Sequence, residues 1–381
     1  MRIVQLIKEH KVFAIIILLS FISALRSLIM PLIADETTYY SIASNILDGR
    51  YYQKTNPSTV SPIIPFILAF FKTSVTPIIG ITLHKLFHIL LAILGFRYLH
   101  LFLSTLKLNT TIVLAIVALC VVNPIGITFY GRLYPESILL FCFWGFMYYS
   151  VSERTSSNFI KMIAFFLVLT MTRYLYAVLG VIVLYNCYQY YKISSKQKVF
   201  KLATYCVMLS IPILFWGKYV YNIEQSNLSE VSYFDRYKSD SPLLYNIKAG
   251  LGIIKHHEVN RINGILAFSS LFVPIDGFRN FILSIGLILA FVIGYFRKNK
   301  PLGAKLLIIV ISLAMLGLIF AGTGFSRYWL ILLPGFILGY YYLASRFNLP
   351  DKWFVYASYA LCFVYILNEF RLDYLIMNKY L

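Results

Sequence analysis

Long apolar runs separated by short polar segments dominate the chain, and within each run the apolar residues are continuous rather than alternating. Such runs predict membrane-spanning helices, because a helix needs about 20 apolar residues to cross the hydrocarbon core. A transmembrane β-barrel would show strict alternation instead. The first run, Val12–Ile33, follows a basic start containing Arg2, Lys8 and Lys11. It has no convincing small-residue cleavage site and resumes its apolar character after Arg26, so it reads as a retained helix and not a signal peptide. Further runs lie at roughly 78–103, 111–129, 137–151, 159–172, 174–191, 202–220, 280–296, 305–321, 328–344 and 353–369. The expectation is an all-α polytopic membrane protein with about 11 transmembrane helices, one from the first run and ten from the others.

Two intervening segments have patterns of their own. In 34–77, Tyr39, Tyr40, Ile42, Ala43, Ile46 and Leu47 recur at helical spacing, and Gly49 is a stop signal. Ile63–Phe71 is apolar but, at nine residues, too short to span. Both predict helices lying at the membrane interface. The segment 221–279 begins polar, then carries apolar stretches at 243–254 and 264–275, which are expected to lie at the interface or pack on the bundle. The chain thus divides into a transmembrane module over 1–220, a large outer loop over 221–279, and C-terminal transmembrane helices over 280–381. It carries no internal repeat, low-complexity tract, phosphate-binding glycine loop or zinc-ligand spacing.

Composition sharpens this picture by exclusion. Of 381 residues 60% are hydrophobic and 13% charged, against roughly a quarter charged in soluble domains. A soluble enzyme and a disordered chain are both excluded. Tyr and Phe number 31 each, which suits aromatic belts at the two interfaces. The net charge of +19 is read as topology, not as nucleic-acid binding. With the N-terminus in the cytoplasm, the inner segments hold 16 basic and three acidic residues, and the outer ones 15 basic and 12 acidic. The nets are +13 inside and +3 outside, with Arg26, Lys85 and Arg97 falling inside spans, and the C-terminus lies outside. The five cysteines sit in apolar runs and read as small core residues.

Candidate chemistry concentrates at the outer ends of the runs. Asp35 and Glu36 close the first one. They can serve as helix cap and dipole partner, or as a carboxylate that takes a proton from a hydroxyl at the membrane surface, and the two roles are compatible. Lys85 lies within a run, flanked by His84 and His88. A charge there either has a partner in a site or snorkels to the interface. The histidines read as core residues ahead of metal ligands. His256 and His257 of the large loop are adjacent and so point about 100° apart on a helix, which favours a solvated or acceptor-facing role over a shared metal.

The series Arg26, Asp35-Glu36-x-x-Tyr39-Tyr40, Asn45-x-x-x-Gly49-x-Tyr51-Tyr52, Pro57 and Ser61-Pro62-x-x-Pro65 resembles the first outer loop of the GT-C superfamily of polytopic glycosyltransferases. Asn123-Pro124, Tyr130-Gly131-Arg132 and Pro135-Glu136-Ser137 are similar to its second outer loop. Thr172-Arg173-Tyr174 and Ser326-Arg327-Tyr328, with Pro334, are similar to arginine segments at later helix ends. The resemblance covers residues 20–190 and 320–340; 221–320 and the last helix match no pattern. It implies transfer of a sugar from a polyprenyl-phosphate donor to a hydroxyl of a glycan, lipid or protein acceptor, in an inverting displacement. It implies Asp35 as base, with Glu36 and Glu136 as further acidic site residues, and Arg173, Arg327 and Lys85 holding the donor phosphate. Tyr39 and Tyr40 belong to the loop that would meet the acceptor. No cofactor is required by this scheme, and a divalent metal ion stays open. A bacterial inner membrane would supply undecaprenyl phosphate. The competing readings are a transporter or flippase of lipid-linked sugars, which predicts charges along a midplane path, and an O-antigen-type polymerase.

Overall fold

The computed structural model describes residues 10–51, 60–74, 76–193, 195–226, 241–255, 262–273, 275, 278–296, 300–322 and 324–380. It is all-helical, 83% helix with no strand among the described residues. Helix α1 (Lys11–Ala24) tightens into a 3-10 turn over Leu25–Leu28. Two short helices follow, α2 (Asp35–Leu47) and α3 (Ile63–Ser74), packed on each other where the apolar spacing predicts them. Helix α4 (Pro77–Thr105) opens on a proline, whose missing N–H has no intrahelical partner to lose.

Helices α5 (Thr110–Val121) and α6 (Pro124–Tyr130) meet at a 65° bend. Pro124 cannot continue the α5 hydrogen-bond ladder. Asn123 holds the corner: its Oδ1 accepts from the Gly126 N–H at 3.2 Å, and its Nδ2 donates to the Leu271 carbonyl at 2.7 Å. Helix α7 (Glu136–Val151) is apolar on every face and sits at the centre, with Phe143, Trp144 and Phe146 fully buried. It lies along α4, where Gly95 gives the room: a Cβ there would stand 2.9 Å from Leu140 Cγ. Helix α8 (Ser156–Thr172) covers its other side.

A 3-10 turn over Tyr174–Leu179 leads into α9 (Gly180–Ile193), and then α10 (Lys196–Ser226), which presents most of its length outward. Helix α11 (Pro242–Gly250) and a buried 3-10 segment, Gly264–Leu271, pack on the bundle, as the apolar stretches of the large loop lead one to expect. The chain ends with α12 (Phe281–Tyr295), α13 (Leu302–Ala321), α14 (Ser326–Trp329), a 3-10 turn over Leu330–Leu332, α15 (Leu333–Arg346) and α16 (Asp351–Tyr380). Helices α12 and α15 touch backbone to backbone through Gly294 and Gly339, the small-residue contact common between membrane helices.

Five described helices are long and apolar enough to cross a membrane: Lys11–Leu28, Pro77–Thr105, Lys196–Asn222, Leu302–Ala321 and Ser326–Arg346; the bent α5–α6 pair makes a sixth. This is fewer than the eleven runs, for a physical reason. Several runs form single helices that are themselves short: α7 has 16 residues, α8 has 17 and α12 has 15. At 1.5 Å per residue these are about 22–26 Å long, short of the roughly 30 Å hydrocarbon core. The 174–191 run spends its first turns in 3-10 form, and α16 is long but carries Asp351, Glu369, Arg371 and Asp373. One apolar core runs from Ile16 to Ile366, so the N- and C-terminal parts pack as a unit, with α16 against α1 and α5.

Candidate functional site

The site begins at a strained turn. The Glu36 N–H donates to the Ile33 carbonyl at 3.1 Å across Ala34, whose φ of 50° and ψ of −123° match the first central position of a type II′ turn. Glycine normally holds that position, and a side chain there costs about 1–3 kcal/mol. The turn sends the two adjacent carboxylates into different surroundings. Glu36 is buried and accepts from the backbone N–H groups of Ile33 at 3.2 Å and Leu133 at 2.9 Å. It ties α2 to the turn that precedes α7. Asp35 stays 45% exposed and accepts from Arg327 Nη2 at 2.6 Å.

From Arg327 the charges alternate inward. Its Nε stands 3.8 Å from Glu136 Oε1, which accepts from Arg173 Nη2 at 3.0 Å. Each member comes from a different chain end: Asp35 from the start of α2, Glu136 from the start of α7, Arg173 from the break after α8, Arg327 from α14. Gly322 and Gly324, at φ of 70° and 45°, let the chain fold tightly just before Arg327. Aromatic rings line the arginines. Arg173 lies 3.7 Å over Tyr328, and Arg327 lies 4.5 Å from the Tyr134 ring centre and 5.6 Å from that of Phe129. Glu136 is fully buried, yet its Oε2 and Arg173 Nη1 have no hydrogen-bond partner among the described residues. Burial pushes the Tyr134 phenol up to about 12, only partly opposed by Arg327. Tyr39 stands edge-on to Tyr134 at 6.5 Å, and burial, reinforced by the Asp35 charge, raises its phenol well above the ordinary value. The cluster therefore offers one accessible carboxylate, two cations and buried hydrogen-bonding capacity at one place.

The other sequence candidates lie elsewhere. Lys85 is buried, and its ammonium donates to the Ser27 and Met30 carbonyls, both at 2.7 Å, clasping the end of the first span. The last carbonyls of a helix need donors, and two of the three Lys85 N–H groups serve them. Glu36 likewise serves the backbone, which leaves Asp35 as the accessible member of the pair. Tyr40 lies under the Lys72 ammonium at 4.3 Å. His84 and His88 are buried with their Nε2 atoms 3.0 Å apart. Among the described residues no three His, Cys, Asp or Glu side chains gather as a metal site would require. His256 and His257 lie outside the described residues.

Three features escape the sequence reading. Tyr134 cradles Arg327. Arg26 is buried against Glu369 at 2.7 Å and Asp373 at 2.9 Å, with Ser23 donating to Asp373 at 2.6 Å. An arginine within a span signals a partner, and Glu369 and Asp373, four apart on α16, share the face that supplies it. Arg132 is buried with no acidic partner among the described residues. No protein-family model, curated protein or solved structure matches the chain.

Proposed function

We propose that the chain is an integral membrane glycosyltransferase of the GT-C kind. It would pass a sugar from a polyprenyl-phosphate donor to a hydroxyl of a glycan, lipid or protein acceptor. The observation that carries this reading is the meeting of Asp35, Glu136, Arg173 and Arg327, four residues up to 292 positions apart in sequence, in one ion-pair chain at helix ends. Transfer from a phosphate-linked sugar needs a base for the acceptor hydroxyl and positive charge for the leaving phosphate. Asp35, as the exposed carboxylate, takes the acceptor proton. Arg327 and Arg173 meet the phosphate, which competes with the carboxylates for their N–H groups. Glu136, buried between the arginines, orients both. Counting α7, α8, α9, α12 and α16 as crossings beside the five long helices and the bent pair gives eleven passes, with the N-terminus in the cytoplasm and the cluster on the outer face, in keeping with a bacterial inner membrane. The four charges of the ion-pair chain gather at helix ends and not along a midplane path, which favours transfer over transport. The test is turnover by purified protein of a radiolabelled polyprenyl-phosphate hexose or pentose, with membrane glycan as acceptor, comparing wild type with Asp35→Asn. Loss of sugar from the donor in wild type alone supports the reading; equal turnover by both removes Asp35 as base.

A further inference from the structure

Arg132 lies in the turn between α6 and α7, the same turn that gives Leu133 N–H to Glu36 and the Tyr134 ring to Arg327. Only 7% of the residue is exposed. Among the described residues its Nε has no partner, and Nη2 donates only to the Met30 thioether at 3.5 Å, a weak acceptor. A guanidinium carries five N–H donors and no acceptor, so a nearly buried one without a carboxylate is incomplete. The neighbouring charges do not complete it. Lys85, which feels the Arg132 charge, is itself a cation and holds two backbone carbonyls. The Glu36 carboxylate is engaged by two backbone N–H groups. Counting Lys85 and Arg132 against Glu36, this corner carries one positive charge in excess. The Asp35–Arg327–Glu136–Arg173 chain beside it is neutral. The excess carboxylate of the Arg26 group has its oxygens on Ser23 and Arg26, not on Arg132.

We propose that Arg132 binds an oxyanion, and that its ligand is a phosphate ester. The planar fork matches phosphate oxygens bidentately, and Arg132 sits in a turn between two apolar helices. This site is distinct from the ion-pair chain and does not depend on glycosyl transfer. A protein that turns over no sugar would still bind phosphate here.

The test uses the full chain purified in maltoside detergent, which carries no phosphate, and in nanodiscs. The probes are inorganic phosphate, a polyprenyl monophosphate, and phosphatidylglycerol against phosphatidylcholine nanodiscs, read as shifts of the thermal midpoint and as affinities. Wild type should be raised by a phosphate probe, and Arg132→Gln should lose ten- to a hundredfold in affinity, as for a hydrogen-bonded charge. Arg132→Lys, which keeps the charge and guards against loss of the fold, should fall between them. A response confined to phosphatidylglycerol assigns the site to a lipid headgroup, and one strongest for the polyprenyl monophosphate assigns it to the carrier lipid. The proposal is overturned if wild type answers none of the probes, if the Gln and Lys variants bind as wild type does, or if Arg327→Ala abolishes the response while Arg132→Gln keeps it.

Discussion

Asp35 and Glu36 are adjacent in sequence and chemically near-equivalent, yet one carboxylate is half-exposed against an arginine and the other is buried on backbone N–H groups. Asp35→Asn keeps the size and the capping capacity but removes the proton acceptor. Normal expression with turnover reduced at least about 10²-fold is expected, the usual scale for a general base. Near-normal turnover would pass the role to another carboxylate. Arg327 is tested by what lysine can replace. A mere interfacial anchor tolerates Arg327→Lys, whereas a residue that forks between Asp35, Glu136 and a phosphate does not. Arg327→Ala should weaken binding of a polyprenyl-phosphate analogue roughly ten- to a hundredfold, since hydrogen bonds to charged groups contribute about 1.5–3 kcal/mol. Equal affinity in wild type, Lys and Ala variants would leave Arg327 an anchor. At this scale the order of motifs along the chain nominates all four members of the ion-pair chain. It does not reveal their pairing, nor that Lys85 faces carbonyls, because spacing along a helix says nothing of what a neighbouring helix presents.

Between residues and fold lie the turns and clasps that set the helices. Ala34 holds a positive φ that glycine would adopt without strain. Ala34→Gly should stabilise the protein by about 1 kcal/mol, and a β-branched residue there should destabilise it, both read as shifts in the thermal midpoint. A midpoint lowered by glycine would mean the turn is not under strain. Lys85→Met removes the donors that close the end of the first span, and a loss of roughly 1.5–3 kcal/mol in stability is expected, with donor affinity unchanged. Weakened donor binding at unchanged stability would return Lys85 to the phosphate. The apolar runs and the helices α2 and α3 are legible in the sequence because each is a local pattern. The 3-10 opening at Tyr174–Leu179 and the corner at Asn123 are not. They depend on contacts such as that between Asn123 and Leu271, 148 residues apart.

For the whole molecule, the +13 and +3 charge split sets an expected orientation, N-terminus inside. With Cys187 and Cys206 replaced by serine, an impermeant thiol reagent on sealed cells should label cysteines placed at Arg50 and Leu243, and not those at Thr155 or Lys198, all of which are exposed in the fold. External labelling at 198 would invert the topology and move the ion-pair chain to the other face. The expected orientation rests on loop charge counted segment by segment; the main core from Ile16 to Ile366 is not legible in this way, because it joins the first and last helices. That closure bears on synthesis. Arg26 is made 347 residues before Asp373, and at about 5–20 residues per second the ribosome delivers its partner tens of seconds later. Through that interval the opening helix carries an uncompensated guanidinium, held at the headgroups or sheltered by the insertion machinery. It can settle to its final depth only once the last helix has arrived, so the final segment acts as a latch on the first.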